Sequence, residues 1–143
     1  MQTLDTMIAL LREHSLKITP QRRMILKLLA SENGHPTAED IYQQVSAVMP
    51  TVSRATVYNT LHELVALGAL AEVQDLSEKR LRYDTQTDTH HHLFCTRCHA
   101  LVDLHQDFEA LHLTPEKAAG YKILKHQVTF YGLCPECQKH EAD

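Results

Sequence analysis

No stretch of this 143-residue chain approaches the roughly 18 consecutive apolar residues that a membrane span needs. The opening residues, MQTLDTMIALL, place no basic segment ahead of their apolar positions, so they do not read as a signal peptide. Glycine- or proline-rich tracts are missing, and a hydrophobic content of 43% is that of a folded domain. An excess of positive charge is missing too, and a net charge of −4 argues against a general nucleic-acid binder. With neither export signal nor span, the cytoplasm is the expected compartment, where structural disulfides are rare.

What the chain does contain is unevenly spread. Residues 1–83 hold nine Lys/Arg and nine Asp/Glu, whereas residues 84–143 hold five and nine and so carry the whole net charge. Eight of the eleven histidines and all four cysteines also fall after residue 83. The length suits one ordinary domain or two very small ones. This asymmetry favours two, at 1–83 and 84–143, with metal binding in the second and a different partner for the first.

The first segment reads as helices. Leu4, Met7, Ile8 and Leu11 recur at the spacing of one helical face. Thr19 before Pro20 marks a second start, and Thr37 three residues before Asp40 marks a third through a capping box. A fourth helix runs from Ser53 to a stop at Gly68. ALAEVQD and RLRYDTQ, joined by LSEK, then read as a β-hairpin. Helices followed by a hairpin give the order of a winged helix-turn-helix, with TVSRATVYNTLHEL (51–64) as recognition helix. Arg22, Ser53, Arg54, Thr56, Tyr58 and Asn59 are then the expected contacts to double-stranded DNA, with Thr60 offered by the same turns, and Lys79, Arg80 and Arg82 would face its backbone. An amphipathic helix with a solvated polar face fits the same pattern.

The second segment reads as a small α/β unit, which makes the chain α+β as a whole. It offers an extended HHHLFCTRCHALVDLH, a short helix over TPEKAAG (114–120) and a strand over YKILKHQVTFYGLC, which is rich in β-branched and aromatic residues. Such a unit has too little core to stand without a staple or a partner subunit. Cys95 and Cys98 form one C-x-x-C, Cys134 and Cys137 another, and no cysteine is left over. Two such knuckles in a cytoplasmic chain point to a tetrahedral zinc site of four thiolates, with 35 residues between the pairs. A redox dithiol is the competing reading; it should open a helix after a strand, and one pair would leave the other unexplained. Hydrolytic zinc chemistry is disfavoured, since four thiolates leave no open position for water. The deaminase pattern is absent as well: no H-x-E occurs, and no proline precedes Cys134. No enzyme and no small-molecule substrate are expected.

In an extended segment His90 and His92 share one face while His91 points to the other. Two imidazoles make half a metal site. Asp103, Asp84 and His35 are candidates to complete it, though spacing alone does not join them, and a solvated histidine run has the same sequence.

Taken together, ITPQRRMIL, HPTAEDIY, SRATVYNTL, HHHLFCTRCHALVD and YGLCPEC resemble the ferric uptake regulator superfamily, in the family order and from about residue 4 to 138. The resemblance implies a homodimeric winged-helix repressor whose second domain dimerises and carries structural Zn2+. It places a regulatory site on His35, Asp84, His90, His92 and Asp103. Three imidazoles and two carboxylates without a cysteine suit Fe2+ or Mn2+. Asp103, where iron-sensing members commonly have glutamate, and Asp84 look like the peroxide-responsive branch, in which His35 and His90 would be the oxidised ligands. The alternatives are an iron- or manganese-responsive regulator and, behind it, a zinc-responsive one. His91 departs from the acidic or aromatic residue often found there; with Glu109 and His126 it is a candidate for the additional metal site of some relatives. A palindromic operator is the implied partner.

Overall fold

The computed structural model describes residues 2–32, 34–75 and 77–140. Packing divides the chain into two compact units, Met1–Thr87 and Asp88–Asp143. Asp84 thus lies inside the first unit, where Gln2 N–H also bonds to Thr85 O at 3.0 Å.

The first unit is built from α1 (Leu4–Glu13), α2 (Pro20–Ser31), α3 (Ala38–Val48) and α4 (Arg54–Ala66), followed by the antiparallel hairpin of β1 (Ala71–Asp75) and β2 (Arg80–Asp84). Every helix starts where a side-chain oxygen can take an orphan backbone N–H: Thr3, Thr19, Thr37 and Ser53 are the caps. The Thr37–Asp40 box is reciprocal, with bonds of 2.9 and 3.1 Å. Gly68, at φ 74°, ends the recognition helix in the left-handed region. Met7, Leu11, Ile25, Leu29, Ile41, Val45, Leu61 and Leu64, all essentially inaccessible, form one apolar core between the helices. This is a winged helix-turn-helix, with the hairpin as wing.

Asp75 organises the wing. Its buried carboxylate accepts from Ser77 Oγ at 2.6 Å, from Ser77 N–H at 3.1 Å and from Arg82 Nε at 3.1 Å, and Arg80 lies 3.7 Å away. Burial alone would raise its pKa, but these hydrogen bonds outweigh it and hold the group at about 2. A pKa depressed on folding stabilises the wing above the ordinary carboxylate range, and that stability is lost as pH falls toward 2. Asp75→Ala should destabilise the unit by about 2 kcal/mol at pH 7, because it orphans buried donors; chemical denaturation should show the difference shrinking below about pH 4.

The second unit is a three-stranded sheet in the order β4-β3-β5, from β3 (His91–Cys95), β4 (Leu101–Leu104) and β5 (Thr129–Gly132). β3 pairs antiparallel with β4 and parallel with β5. A 3-10 turn at Glu109–Leu111 and a short helix α5 (Pro135–Lys139) complete it. Two expectations need correction. The helix expected at 114–120 stops after a single turn, Ala118 N–H to Thr114 O at 2.9 Å, because Ala119 (φ 51°) and Gly120 (φ 83°) leave helical space. The strand expected from 121 onward narrows to Thr129–Gly132, and Tyr121, Ile123 and Leu124 are exposed.

Candidate metal centres and nucleic-acid interface

The cysteine centre lies where the β3 end, the turn after it and the start of α5 meet. The turn folds back through His99 N–H to Cys95 O and Cys95 N–H to Ala100 O, both at 2.9 Å. Cys134 caps α5 through its own sulfur, which accepts from Cys137 N–H at 3.4 Å. The second knuckle therefore does open a helix directly after a strand, the placement expected of a redox dithiol. The position of all four sulfurs decides the matter: they lie within 4.8 Å of one another, and none is in a disulfide. Cys98 Sγ and Cys134 Sγ are 3.8 Å apart, the edge of a tetrahedron whose centre is about 2.3 Å from each sulfur.

Backbone N–H groups of Cys98 and Cys134 draw the Cys95 thiol down to about 5, ready to ionise. Cys137 is pushed up to about 12 by its contact with Cys134 and by burial. Four cysteine sulfurs this close can all ionise only around a central cation, and the donor set fits zinc.

In the first unit, His35 Nε2 lies 3.2 Å from Asp84 Oδ2, and both residues are buried. β2 fixes the pair: Tyr83 N–H bonds to Pro36 O at 2.9 Å, Thr37 bridges Arg82, and Asp84 Oδ1 accepts from Gln86 N–H at 2.8 Å.

In the second unit, one carboxylate oxygen, Asp103 Oδ1, lies 3.2 Å from His90 Nε2 and 3.3 Å from His92 Nε2. His92 and Asp103 are partners in the β3–β4 register, so the strand pairing sets their approach. His90 Nδ1 sits 2.8 Å from Asp88 O, a carbonyl that can only accept, so this nitrogen carries the proton. Its Nε2 then turns a lone pair toward a carboxylate. Two acceptors at that distance call for a cation between them: a second proton or a metal ion.

His91 follows the strand alternation to the opposite face, where its Nδ1 accepts from Val128 N–H at 2.9 Å. Burial, and then His126 beside it, depress its pKa, so the ring is held neutral. His126 stands 5.6 Å from His91 and 5.8 Å from His112 between ring centres. His91, Glu109 and His126 do not gather into a donor cluster among the described residues. His105, whose ring stacks on His90 at 5.5 Å, and His112 were not singled out by spacing; both lie in irregular chain, where no periodicity signals a side chain's direction.

The expected DNA contacts divide into two groups. Tyr58 and Asn59 are exposed on α4, whereas Thr60 is buried and its hydroxyl donates to Thr56 O at 2.7 Å. Arg22 instead ties α2 to α4, with Nη2 at 2.7 Å from Glu63 Oε2 and Nη1 donating to Lys17 O. Ser53 Oγ and Thr56 N–H form the α4 cap, and Arg54 is paired with Glu39.

A winged helix joined to a sheet unit that gathers four thiolates, with imidazole–carboxylate pairs in each unit, defines a metal-responsive regulator. The chain belongs to the ferric uptake regulator family, whose model matches residues 13–131. It is 35% identical over 136 residues, 94% of its length and 91% of the relative's, to the peroxide-responsive repressor PerR of Staphylococcus saprophyticus. The solved PerR of Streptococcus pyogenes, described for peroxide sensing and gene regulation, matches at 30% identity and a TM-score of 0.56, over 96% of this chain and 95% of that one. The Helicobacter pylori ferric uptake regulator shares the fold, with a TM-score of 0.72 over 96% and 95% of the two chains at 20% identity. Members of this family are transcriptional regulators, and the chain is not an enzyme.

Proposed function

We propose that this chain is a metal-dependent transcriptional repressor, cytoplasmic and homodimeric, that binds a palindromic double-stranded operator and senses hydrogen peroxide. The sensor is an Fe2+ or Mn2+ ion held by His35, Asp84, His90, His92 and Asp103, distinct from a structural Zn2+ on Cys95, Cys98, Cys134 and Cys137. The observation that carries the reading is Asp103 Oδ1 shared by two buried imidazoles, one with its other nitrogen already committed to Asp88 O. That is an incomplete nitrogen and oxygen shell without sulfur, which suits iron or manganese better than zinc. His35 and Asp84 offer the missing donors. One ion drawing ligands from both units would tie their relative orientation to metal occupancy, and so couple metal binding to operator affinity. Exposed Leu93, Val102 and Phe130, cross-strand partners on one side of the sheet, give the second unit an apolar face that supports pairing with a second copy.

Bound iron would supply the electron by which peroxide becomes able to add oxygen to a ligand imidazole. His35 and His90 are the residues assigned to that fate, and an oxidised imidazole no longer offers the same lone pair. The homologues at 35% identity that are named peroxide-responsive repressors favour this reading. The fold shared with a ferric uptake regulator favours a second one, an iron- or manganese-responsive regulator indifferent to peroxide.

Loading the protein with Fe2+ or Mn2+, adding peroxide and measuring operator binding with peptide masses separates the two. Peroxide sensing predicts a gain of about 16 Da, one oxygen atom, on the peptides bearing His35 or His90 with iron only, together with release of DNA. Unchanged masses and undiminished DNA binding would leave the pure metal sensor.

A further inference from the structure

Arg82 stands in β2 where spacing puts a wing cation facing DNA, yet only 14% of its side chain is exposed. Nε donates to the buried carboxylate of Asp75 at 3.1 Å, and Nη1 reaches back to His35 O at 3.5 Å, a long bond from a charged donor. The backbone beside it runs along the same segment. Pro36 has no N–H to give and meets β2 through its carbonyl, which accepts from Tyr83 N–H at 2.9 Å, and Thr37 forms a bridge with Arg82 itself. His35 lies beyond that bridge, where the Arg82 side chain extends the grip of the strand by a further residue. Arg82 and Asp84 are two positions apart on β2, so their side chains share a face. Both turn to His35: the guanidinium to its carbonyl, and the Asp84 carboxylate to its ring nitrogen at 3.2 Å.

We infer that Arg82 is a positioning residue for the regulatory site, which fixes the His35 backbone against the wing so that the imidazole stands opposite Asp84. The inference rests on reading His35 as a ligand of the regulatory ion. Asp75 supplies the fixed point, since its carboxylate is also held by Ser77 and Glu78 N–H groups in the hairpin turn. A planar guanidinium holds two acceptors from different segments at a set separation, which a point charge does not. A ligand held at both backbone and ring has less freedom left to lose when an ion engages it, so the outer bond adds to metal affinity without touching the ion.

The test uses full-length, zinc-loaded protein as wild type, Arg82→Gln, Arg82→Lys, His35→Ala and His35→Ala with Arg82→Gln. In glutamine the side-chain nitrogen falls where Nε was, so the donor to Asp75 is kept while the arm to His35 O is lost. Calorimetric titration with Mn2+, without DNA, should show binding about tenfold weaker in Arg82→Gln, the low end of what outer-shell partners contribute. Arg82→Lys keeps the charge beside Asp75 but gives up the fork, and should lose about threefold. On the His35→Ala background the glutamine substitution should change nothing. Before Mn2+ is added, amide exchange in Arg82→Gln should be faster at Tyr83, whose N–H bonds to Pro36 O, and unchanged at amides paired between β1 and β2. With Mn2+ saturating, the salt slope for a duplex that wild type selects from a random pool should stay that of wild type. Wild-type Mn2+ affinity in both variants, or an equal loss without His35, overturns the inference. So does a slope shallower by about one at unchanged Mn2+ affinity, the mark of a lost phosphate contact. Faster exchange along the whole hairpin with Mn2+ affinity intact overturns it as well, leaving Arg82 a role in wing stability alone. If wild type takes up no Mn2+, or His35→Ala binds it as wild type does, the sensor-site reading fails; unchanged exchange at Tyr83 separately refutes the hold on His35.

Discussion

Cys134→Ser should leave the second unit unfolded, with zinc content falling from one ion per chain to none. The reason lies in how little else holds that unit together. The apolar core cluster lies entirely in the first unit, and among the described residues of the second the buried hydrophobics are Phe94, Cys95 and Cys137. A core of that size supplies at most a few kcal/mol, whereas a structural zinc contributes on the order of 10 kcal/mol. Cys134 is also the N-cap of α5, so serine keeps a capping oxygen while losing the thiolate, which isolates the metal's share. Amide hydrogen exchange should show protection lost across β3, β4 and β5 and kept in α1–α4. Native protection in β3–β5 without zinc would refute the structural role.

Side chains that act on their own backbone neighbourhood were legible in the sequence. The caps at Thr19, Thr37 and Ser53, the stop at Gly68 and the hairpin are local decisions, and they lie where spacing put them. The alternation that sends His91 away from His90 and His92 is local too. Residues that depend on distant partners were not legible. Arg22 and Arg54 look free in a one-dimensional reading, yet each is paired with a carboxylate from another helix, 41 and 15 residues away. The segment 114–128 misled because alanine, lysine and β-branched residues promise regular structure, while the left-handed Ala119 and Gly120 break it. Cys95 and Cys98 needed only a count to find their partners, because a metal makes its own long-range constraint. The imidazoles needed the strand register to bring Asp103 to His92.

His35→Ala and Asp103→Ala should both abolish metal-dependent operator binding, but for different reasons, and the difference tests the shared-ion reading. Asp103 is the carboxylate whose Oδ1 lies beside both His90 and His92, so its loss removes the anion these two imidazoles share. Mn2+ affinity should collapse, and with it any response. His35 belongs to the other unit, and its removal leaves His90, His92 and Asp103 together. The ion should still bind there, more weakly, but can no longer draw on the His35 donor of the first unit. Coupling of this kind is typically about 5- to 150-fold in affinity and is reciprocal, so wild-type protein should also bind Mn2+ more tightly by the same factor when operator is present. In His35→Ala both factors should fall toward one, Asp84 being the one proposed donor left in the first unit, while isothermal titration still registers Mn2+ binding. An ion can shift only those equilibria in which it contacts the two states differently. A His35→Ala protein that keeps its full Mn2+-dependent gain for operator would therefore remove His35 from the site, and the same result in His35→Ala with Asp84→Ala would remove the coupling of the two units through one metal.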